Sequence, residues 1–265
     1  MLKIGICGIG GKMGKAVLGV LLERGHSLKA AFERDSYMYI GSDAGEVAQK
    51  GNLHVTINPI NKKDLRSLDG VIDFSNPEAT LRLIEALKEV KKPVVIGTTG
   101  LADKDKEKIL DASKIIPVVF SPNMSLGVNL LFKLTEIASK ILGNDFDIEV
   151  FEAHHKLKLD APSGTAKKLL DTIKRSVPKL NDAPLIYDRS QKNEKRSNKE
   201  IGVQVLRGGD IVGEHTVFFA GAGERIELTH RATSREIFAR GAVIAMEFLA
   251  NRDPGLYDMN DVLGL

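Results

Sequence analysis

The sequence predicts an α/β protein in two parts: a doubly wound parallel sheet, then an α+β unit built on a mixed, open sheet. Three observations predict it. A glycine-rich turn at residues 8–14 joins an apolar run to a helical pattern. Short apolar runs then alternate with helical patterns as far as Phe120. After Asn123 the alternation stops, and three strand-like runs come in succession between residues 201 and 230.

Residues 2–7 read as a short buried strand, and Gly8-Ile9-Gly10-Gly11-Lys12-Met13-Gly14 follows at once. Val17, Leu18, Leu21 and Leu22 lie at helical spacing over Lys15–Arg24, and Gly25 suits the end of that helix. Strand, glycine turn and helix make the context that dinucleotide binding requires. The spacing is G-x-x-G-x-x-G, with Gly8, Gly11 and Gly14, because the third glycine of G-x-G-x-x-G would fall at Met13. Small residues there let the backbone approach a pyrophosphate, which the helix dipole favours. Ser27–Phe32 is a second strand, ending in Glu33-Arg34. Glu33, 22 residues beyond Gly11, stands where an acid meets the adenosine ribose hydroxyls, and Arg34 suits a 2′-phosphate. Together they predict tolerance of NADH and NADPH.

Residues 35–52 read as loop with a short helix, and 53–57 as a strand. Val71–Ser75 is a clearer strand, and Asn76-Pro77 opens a helix through Val90, with proline at the first helical position. Residues 93–100 are strand then glycine turn, 102–113 a charged helix, and 116–120 a further strand. Ligands of such a sheet sit at the carboxyl ends of its strands. Those ends carry Gly8–Gly14, Glu33, Ser75, Gly97-Thr98-Thr99 and Ser121-Pro122-Asn123-Met124.

Beyond Asn123, residues 126–142 read as an apolar helix and 147–153 as a strand. Strands are expected at 201–206, 211–220 and 224–230, with hairpin turns at 207–210 and 221–223 and a mainly antiparallel sheet. One face of that sheet needs cover, which points to oligomerisation. Ser234 is expected to cap a helix through Leu249 that returns to the first part.

Chemistry concentrates in residues 148–166, which open as a strand and close as a helix start. His154, His155, Lys156 and Lys158 are candidate proton donors, and Ser163-Gly164-Thr165 begins a helix whose free N–H groups suit an anion. In a straight strand His154 and Lys158 would lie roughly 13 Å apart, at about 3.3 Å per residue. The chain must bend for both to reach one small molecule, and Pro162 and Gly164 suit a loop.

The 265 residues can bury a substantial core as one large domain or two smaller ones, and 43% hydrophobic with 28% charged content is ordinary for a globular protein. The single cysteine, Cys7, excludes a disulfide framework and reads as a core residue in a reducing compartment. No signal peptide and no apolar run near 18 residues is read, so the expected place is the cytoplasm, away from membranes. A net charge of +3 is too small to argue for nucleic acid. Residues 187–200, with Arg189, Lys192, Lys195, Arg196 and Lys199, read as a solvated flexible loop.

The chain resembles the 4-hydroxy-tetrahydrodipicolinate reductase (dihydrodipicolinate reductase) family. The matching pieces are Gly8-x-x-Gly11-x-Met13-Gly14, Asp73-Phe74-Ser75-x-Pro77, Gly97–Gly100, Asn123–Asn129, Gly208–Asp210 with Gly213–Thr216, and the specific block from Glu152 through His154-His155-x-x-Lys158-x-Asp160 to Ala166. The resemblance covers nearly the whole chain. It implies a Rossmann-like nucleotide domain at 1–125 with 236–265, a substrate and tetramerisation domain at 126–235, and a homotetramer. It implies NADH and/or NADPH as co-substrate, no metal, and reduction of a cyclic imine dicarboxylate whose hydroxyl leaves as water, in the diaminopimelate route to lysine. His154 would be the proton donor/acceptor and Lys158 a second proton donor. His155, Ser163, Gly164 and Thr165 would bind the substrate. Gly8, Ile9, Gly10, Gly11, Lys12, Met13, Glu33, Arg34, Gly97, Thr98, Thr99, Ser121, Pro122, Asn123 and Met124 would bind the nucleotide. The loop at 189–199, rich in lysine and arginine here, often carries more glycine in the family.

Two other enzyme readings and one of a different class compete. Another two-domain nicotinamide dehydrogenase would share the first part but has no reason to hold the His-His-x-x-Lys block. A nucleotide-sensing regulator would not need His154 and Lys158 together. A metal enzyme would draw on His154, His155, Asp160, His215 and His230, but adjacent strand residues point to opposite faces.

Overall fold

A computed structural model describes residues 1–190 and 193–265. The backbone forms two compact units, one of Met1–Leu126 with Arg235–Leu265 and one of Gly127–Ser234. Among the described residues no helix is long and apolar enough to cross a membrane.

The first unit runs β1 (Lys3–Cys7), α1 (Lys12–Glu23), β2 (Ser27–Phe32), α2 (Ala44–Val47), β3 (Ile57–Asn58), α3 (Lys62–Arg66), β4 (Gly70–Asp73), α4 (Pro77–Val90), β5 (Val94–Ile96), α5 (Asp103–Ser113) and β6 (Pro117–Phe120). With β12 (Gly255–Tyr257) from the chain's end, its seven strands lie in the order β12-β6-β5-β4-β1-β2-β3, every pair parallel. The order reverses between β1 and β4, which is the point where a doubly wound sheet opens a crevice. Alternate strand residues feed two cores, as the two-residue repeat of a strand requires. Ile4, Ile6, Ile72, Val95 and Val119 meet α1 residues Leu18 and Leu21 on one face. Val71, Val94, Ile96 and Val118 meet α4 residues Leu83, Ile84 and Leu87 on the other. Each such buried side chain contributes about 2 kcal/mol.

The glycine turn is tight for a visible reason. Gly8 has φ +84°, and a Cβ on it would lie 2.3 Å from the Phe74 carbonyl oxygen. A Cβ on Gly14 would lie 2.1 Å from the Gly8 carbonyl oxygen. α1 therefore starts hard against the end of β4, and no side chain caps its N-terminus.

The second unit contains α6 (Leu126–Leu142), β7 (Asp147–His154), α7 (Gly164–Ser176), β8 (Leu185–Ile186), β9 (Ile201–Arg207), β10 (Gly213–Ala220) and β11 (Arg225–Ala232). α8 (Glu236–Leu249), β12 (Gly255–Tyr257) and α9 (Met259–Leu263) complete the first unit. In the second sheet the order is β11-β10-β7-β9-β8. Its helix-side core joins Val128, Leu131 and Phe132 of α6 and Leu169, Leu170 and Ile173 of α7 to Ile148, Val150, Val203, Val217 and Phe219.

Several expectations change. Residues 207–210 make no hairpin, because β7 lies between β9 and β10; the 221–223 hairpin does form. The sheet is evenly mixed, since β9 runs parallel to both β7 and β8. The strand expected at 53–57 shrinks to Ile57–Asn58, because Asp43 takes the Leu53 and Val55 N–H groups. α8 begins at Glu236 with Arg235, not Ser234, in the capping position. α3, β8 and β12 were not legible as elements, being two to five residues long. The basic loop is tied down at Arg189 and Arg196. Arg196 bonds Asp147, Glu149 and the carbonyl oxygens of Ile148, Ser197 and Glu200, and Arg189 pairs with Glu200. Lys192 lies outside the described residues.

Candidate active site

In the second unit, β7 carries Glu152 and His154 on one face of the strand, two residues apart. Both are buried, Glu152 completely. The carboxylate is the hub of the site. Its Oε2 receives His154 Nδ1, and Arg207 donates to it bidentately, Nη1 to Oε2 at 3.0 Å and Nη2 to Oε1 at 2.8 Å. The Ser163 N–H donates to Oε1 at 3.0 Å. Burial would raise the Glu152 carboxyl, but Arg207, the Ser163 N–H and His154 bring it below its ordinary value. Glu152 therefore stays ionised and holds the proton of His154 on Nδ1, leaving Nε2 for exchange. A Cβ on Gly213 would stand 3.1 Å from that Nε2, so glycine keeps the approach clear.

His154 titrates low, through burial first, with the Glu152 bond opposing and Lys158 and Arg207 adding to the shift. His215 of β10 packs edge-on against it, with ring centres 5.1 Å apart. His215 Nε2 meets Ser163 Oγ at 3.0 Å, while its Nδ1 has no hydrogen-bond partner. Burial drives its pKa down to about 3.

The chain turns as β7 ends. Lys158 N–H bonds the His155 carbonyl at 3.1 Å, and Gly208 N–H bonds the His154 carbonyl at 2.9 Å. Lys158 Nζ pairs with Asp160 at 2.8 Å, which holds that carboxyl below its usual range. Ser163 then caps α7, its Oγ accepting from the Ala166 N–H. Gly164 is exposed and Thr165 half-buried at the helix start, whose backbone donors suit an anion. His154, Ser163 and the head of α7 are thus joined through Glu152. His155 is half-buried and leaves its Nδ1 without a hydrogen-bond partner.

Among the described residues, Glu152, His154 and His215 also bring ligand atoms within 4.8 Å of one another. Both Glu152 oxygens already take bonds from Arg207, so a cation there would meet a guanidinium. His155, Asp160 and His230 stand outside this group.

In the first unit the predicted nucleotide residues divide between two cavities at the strand ends. One, of about 250 Å³, is lined by Gly8, Glu33 and Arg34. The other, of about 440 Å³, is lined by Met13, Gly97, Thr98, Thr99, Pro122, Asn123 and Met124, together with Arg235 and Phe238. Glu33 Oε1 accepts the Gly10 N–H at 2.8 Å, and Arg34 is exposed beside it. Gly11 and Lys12 form the uncapped head of α1. The Ile9 side chain is core, and Ser121 is buried with its Oγ on the Asn123 carbonyl, so neither side chain lines these two cavities. The uncapped helix and a turn with no room for a Cβ at Gly8 or Gly14 suit a pyrophosphate.

Sequence reasoning missed Glu152, Arg207 and the bond from His215 to Ser163. Glu152 had a signal, since an acid two residues before a histidine in a strand shares its face. Arg207 had none, because only the β7–β9 register sets it opposite His154.

A doubly wound sheet with a glycine turn, joined in sequence to a unit bearing a histidine–carboxylate site, defines a nicotinamide-dependent oxidoreductase. Comparison with known proteins narrows the class. Residues 2–124 match the family model for dihydrodipicolinate reductase, N-terminus, and residues 127–263 that for its C-terminus. The chain is 43% identical to 4-hydroxy-tetrahydrodipicolinate reductase of Trichlorobacter lovleyi over the full length of both. It is 45% identical to that of Thiobacillus denitrificans, over 99% of this chain and 98% of the relative. The fold is similar to a dipicolinate-bound dihydrodipicolinate reductase from Paenisporosarcina, with TM-score 0.78 and 22% identity over 97% of each chain. It is also similar to an amine dehydrogenase from Mycobacterium smegmatis, with TM-score 0.60 and 11% identity over 98% of this chain and 95% of that one. The chain belongs to the dihydrodipicolinate reductase family.

Proposed function

We propose that the protein reduces 4-hydroxy-tetrahydrodipicolinate to tetrahydrodipicolinate, with loss of water, in the diaminopimelate route to lysine. The observation that carries this reading is the His154–Glu152–Ser163 connection. It puts a proton-transfer imidazole and an anion-binding helix start on one buried carboxylate. The curated relatives that match over their full length bear the name of this activity.

The first unit, Met1–Leu126 with Arg235–Leu265, holds the coenzyme, and the second, Gly127–Ser234, holds the substrate. The head of α1 takes the pyrophosphate, Glu33 and Arg34 the adenosine ribose, and residues 97–99 and 121–124 the nicotinamide end. Bound coenzyme supplies hydride, which no side chain can. The second unit supplies the rest. The N–H groups of Gly164 and Thr165, with the Thr165 hydroxyl and His155, hold the carboxylates. Lys158 offsets negative charge that develops on the ring and serves as a second proton source. His154 delivers a proton from Nε2 to the ring carbon opposite in charge demand to the hydride. A dianionic substrate raises the pKa of His154 toward neutrality, which turns a poor donor into an effective one.

Glu33 favours ribose hydroxyls and Arg34 a 2′-phosphate, so NADH and NADPH both serve. The sheet face away from α6 and α7 carries Phe151, Leu206 and Phe218, which supports a homotetramer covering that face. We place the protein in the cytoplasm, where reduced nicotinamide coenzyme is available to a biosynthetic reductase. The test is oxidation of NADH and NADPH with substrate generated in place by its synthase from pyruvate and aspartate semialdehyde. No substrate-dependent loss of reduced coenzyme would sink the proposal.

A further inference from the structure

Asp73 ends β4, in register with Cys7 of β1, where the strand order reverses. It is fully buried. Among the described residues no cation pairs with it, and its side-chain partners are neutral: three hydroxyls and the Cys7 thiol. Ser75 Oγ and Thr80 Oγ1 donate at 2.5 Å, and Thr98 Oγ1 at 3.0 Å. Burial pushes this carboxyl above its ordinary value, and the hydrogen bonds from the hydroxyls and the Cys7 thiol offset only part of that. A charge buried with neutral partners alone is expensive, and an apolar residue of that size would pack there at less cost. Stability is a poor reason for it.

The hydroxyl donors come from three segments: the loop after β4, helix α4 and the loop after β5. A carboxylate only accepts, so it fixes the direction of each hydroxyl. Thr98 has to spend its proton on Asp73, which leaves its oxygen to accept the Ser75 N–H at 3.0 Å. Asp73 thereby ties the loop after β4 to the loop after β5. Ser75 lines both of the strand-end cavities that hold the predicted nucleotide residues, and Thr98 lines the larger of those two.

We propose that Asp73 is a positioning residue for coenzyme binding, acting through Ser75 and Thr98 and touching no ligand itself. The inference rests on the reading that these cavities take the nicotinamide nucleotide. Asp73→Asn keeps the size but puts a donor where only acceptors fit. The Kd and KM for NADPH should rise about tenfold, while kcat at saturating coenzyme stays within about twofold. Affinity for pyridine-2,6-dicarboxylate, measured by calorimetry on the free enzyme, should not change. Thr80→Val removes one donor without altering a cavity-lining residue and should shift the coenzyme constants the same way, and Thr80→Ser should restore them. If Asp73→Asn does not fold, the Thr80 pair decides. Wild-type coenzyme constants in these variants would overturn the inference, as would an equal loss of kcat and of affinity for both ligands. If the wild-type protein binds neither NADH nor NADPH, the coenzyme reading falls with it. Normal wild-type binding with unchanged variants overturns the role of Asp73 alone.

Discussion

Arg207 grips both oxygens of Glu152, with Nη1 3.0 Å from Oε2 and Nη2 2.8 Å from Oε1. Because Glu152 also holds His154 and the cap of α7, the arginine neutralises a charge on which the placement of both depends. Arg207→Met should cost about 3 kcal/mol in urea unfolding, the penalty of leaving a buried carboxylate without its cation. Pairing it with Glu152→Gln should recover much of that stability without recovering turnover.

Dicarboxylate binding should take up protons near neutral pH. His154 titrates low in the free protein, through burial and the nearby charges of Lys158 and Arg207. Two negative charges beside it reverse part of that shift. Calorimetry of pyridine-2,6-dicarboxylate binding in buffers of different ionisation enthalpy reads the uptake directly. His154→Gln should abolish it.

The same histidine should govern turnover. His154→Gln is expected to lower kcat by about 10²-fold or more, the usual weight of a positioned acid or base. Lys158→Ala should lower kcat and also raise KM for the substrate. Steady-state rates unchanged in both variants would remove these residues from the mechanism.

Stability should fall on mild acidification because of His215. Its folded pKa, about 3, lies below its ordinary value of 6.5. The unfolded chain therefore binds the proton first, so stability is whole above 6.5 and declines as pH falls toward 3. Glu152, also lowered when folded, loses its contribution only below the ordinary carboxylate value of 4.5. Unfolding free energy measured between pH 7 and pH 5 should thus slope less in His215→Gln than in wild type.

Ser163→Ala removes the α7 cap and should cost about 1 kcal/mol. It also frees the helix head to fray, so dicarboxylate affinity should drop several-fold while NADPH binding is unchanged. Thermal unfolding and calorimetry separate the two effects.

The sequence by itself determined the strand–turn–helix alternation, since apolar periodicity and glycine spacing are local properties. Gly8 and Gly14 were legible because only glycine fits so close to Phe74 and to the Gly8 carbonyl. The block from His154 to Thr165 was legible because its residue types serve no ordinary packing role. What only the tertiary structure decided was partnership across the sheets. The insertion of β7 between β9 and β10 turned an expected hairpin into a crossover and set Arg207 and His215 on either side of His154. Likewise, Asp73 reads as one more strand residue until Thr80 and Thr98 arrive from other segments. Such contacts depend on strand order and register, which long-range packing fixes and local composition does not.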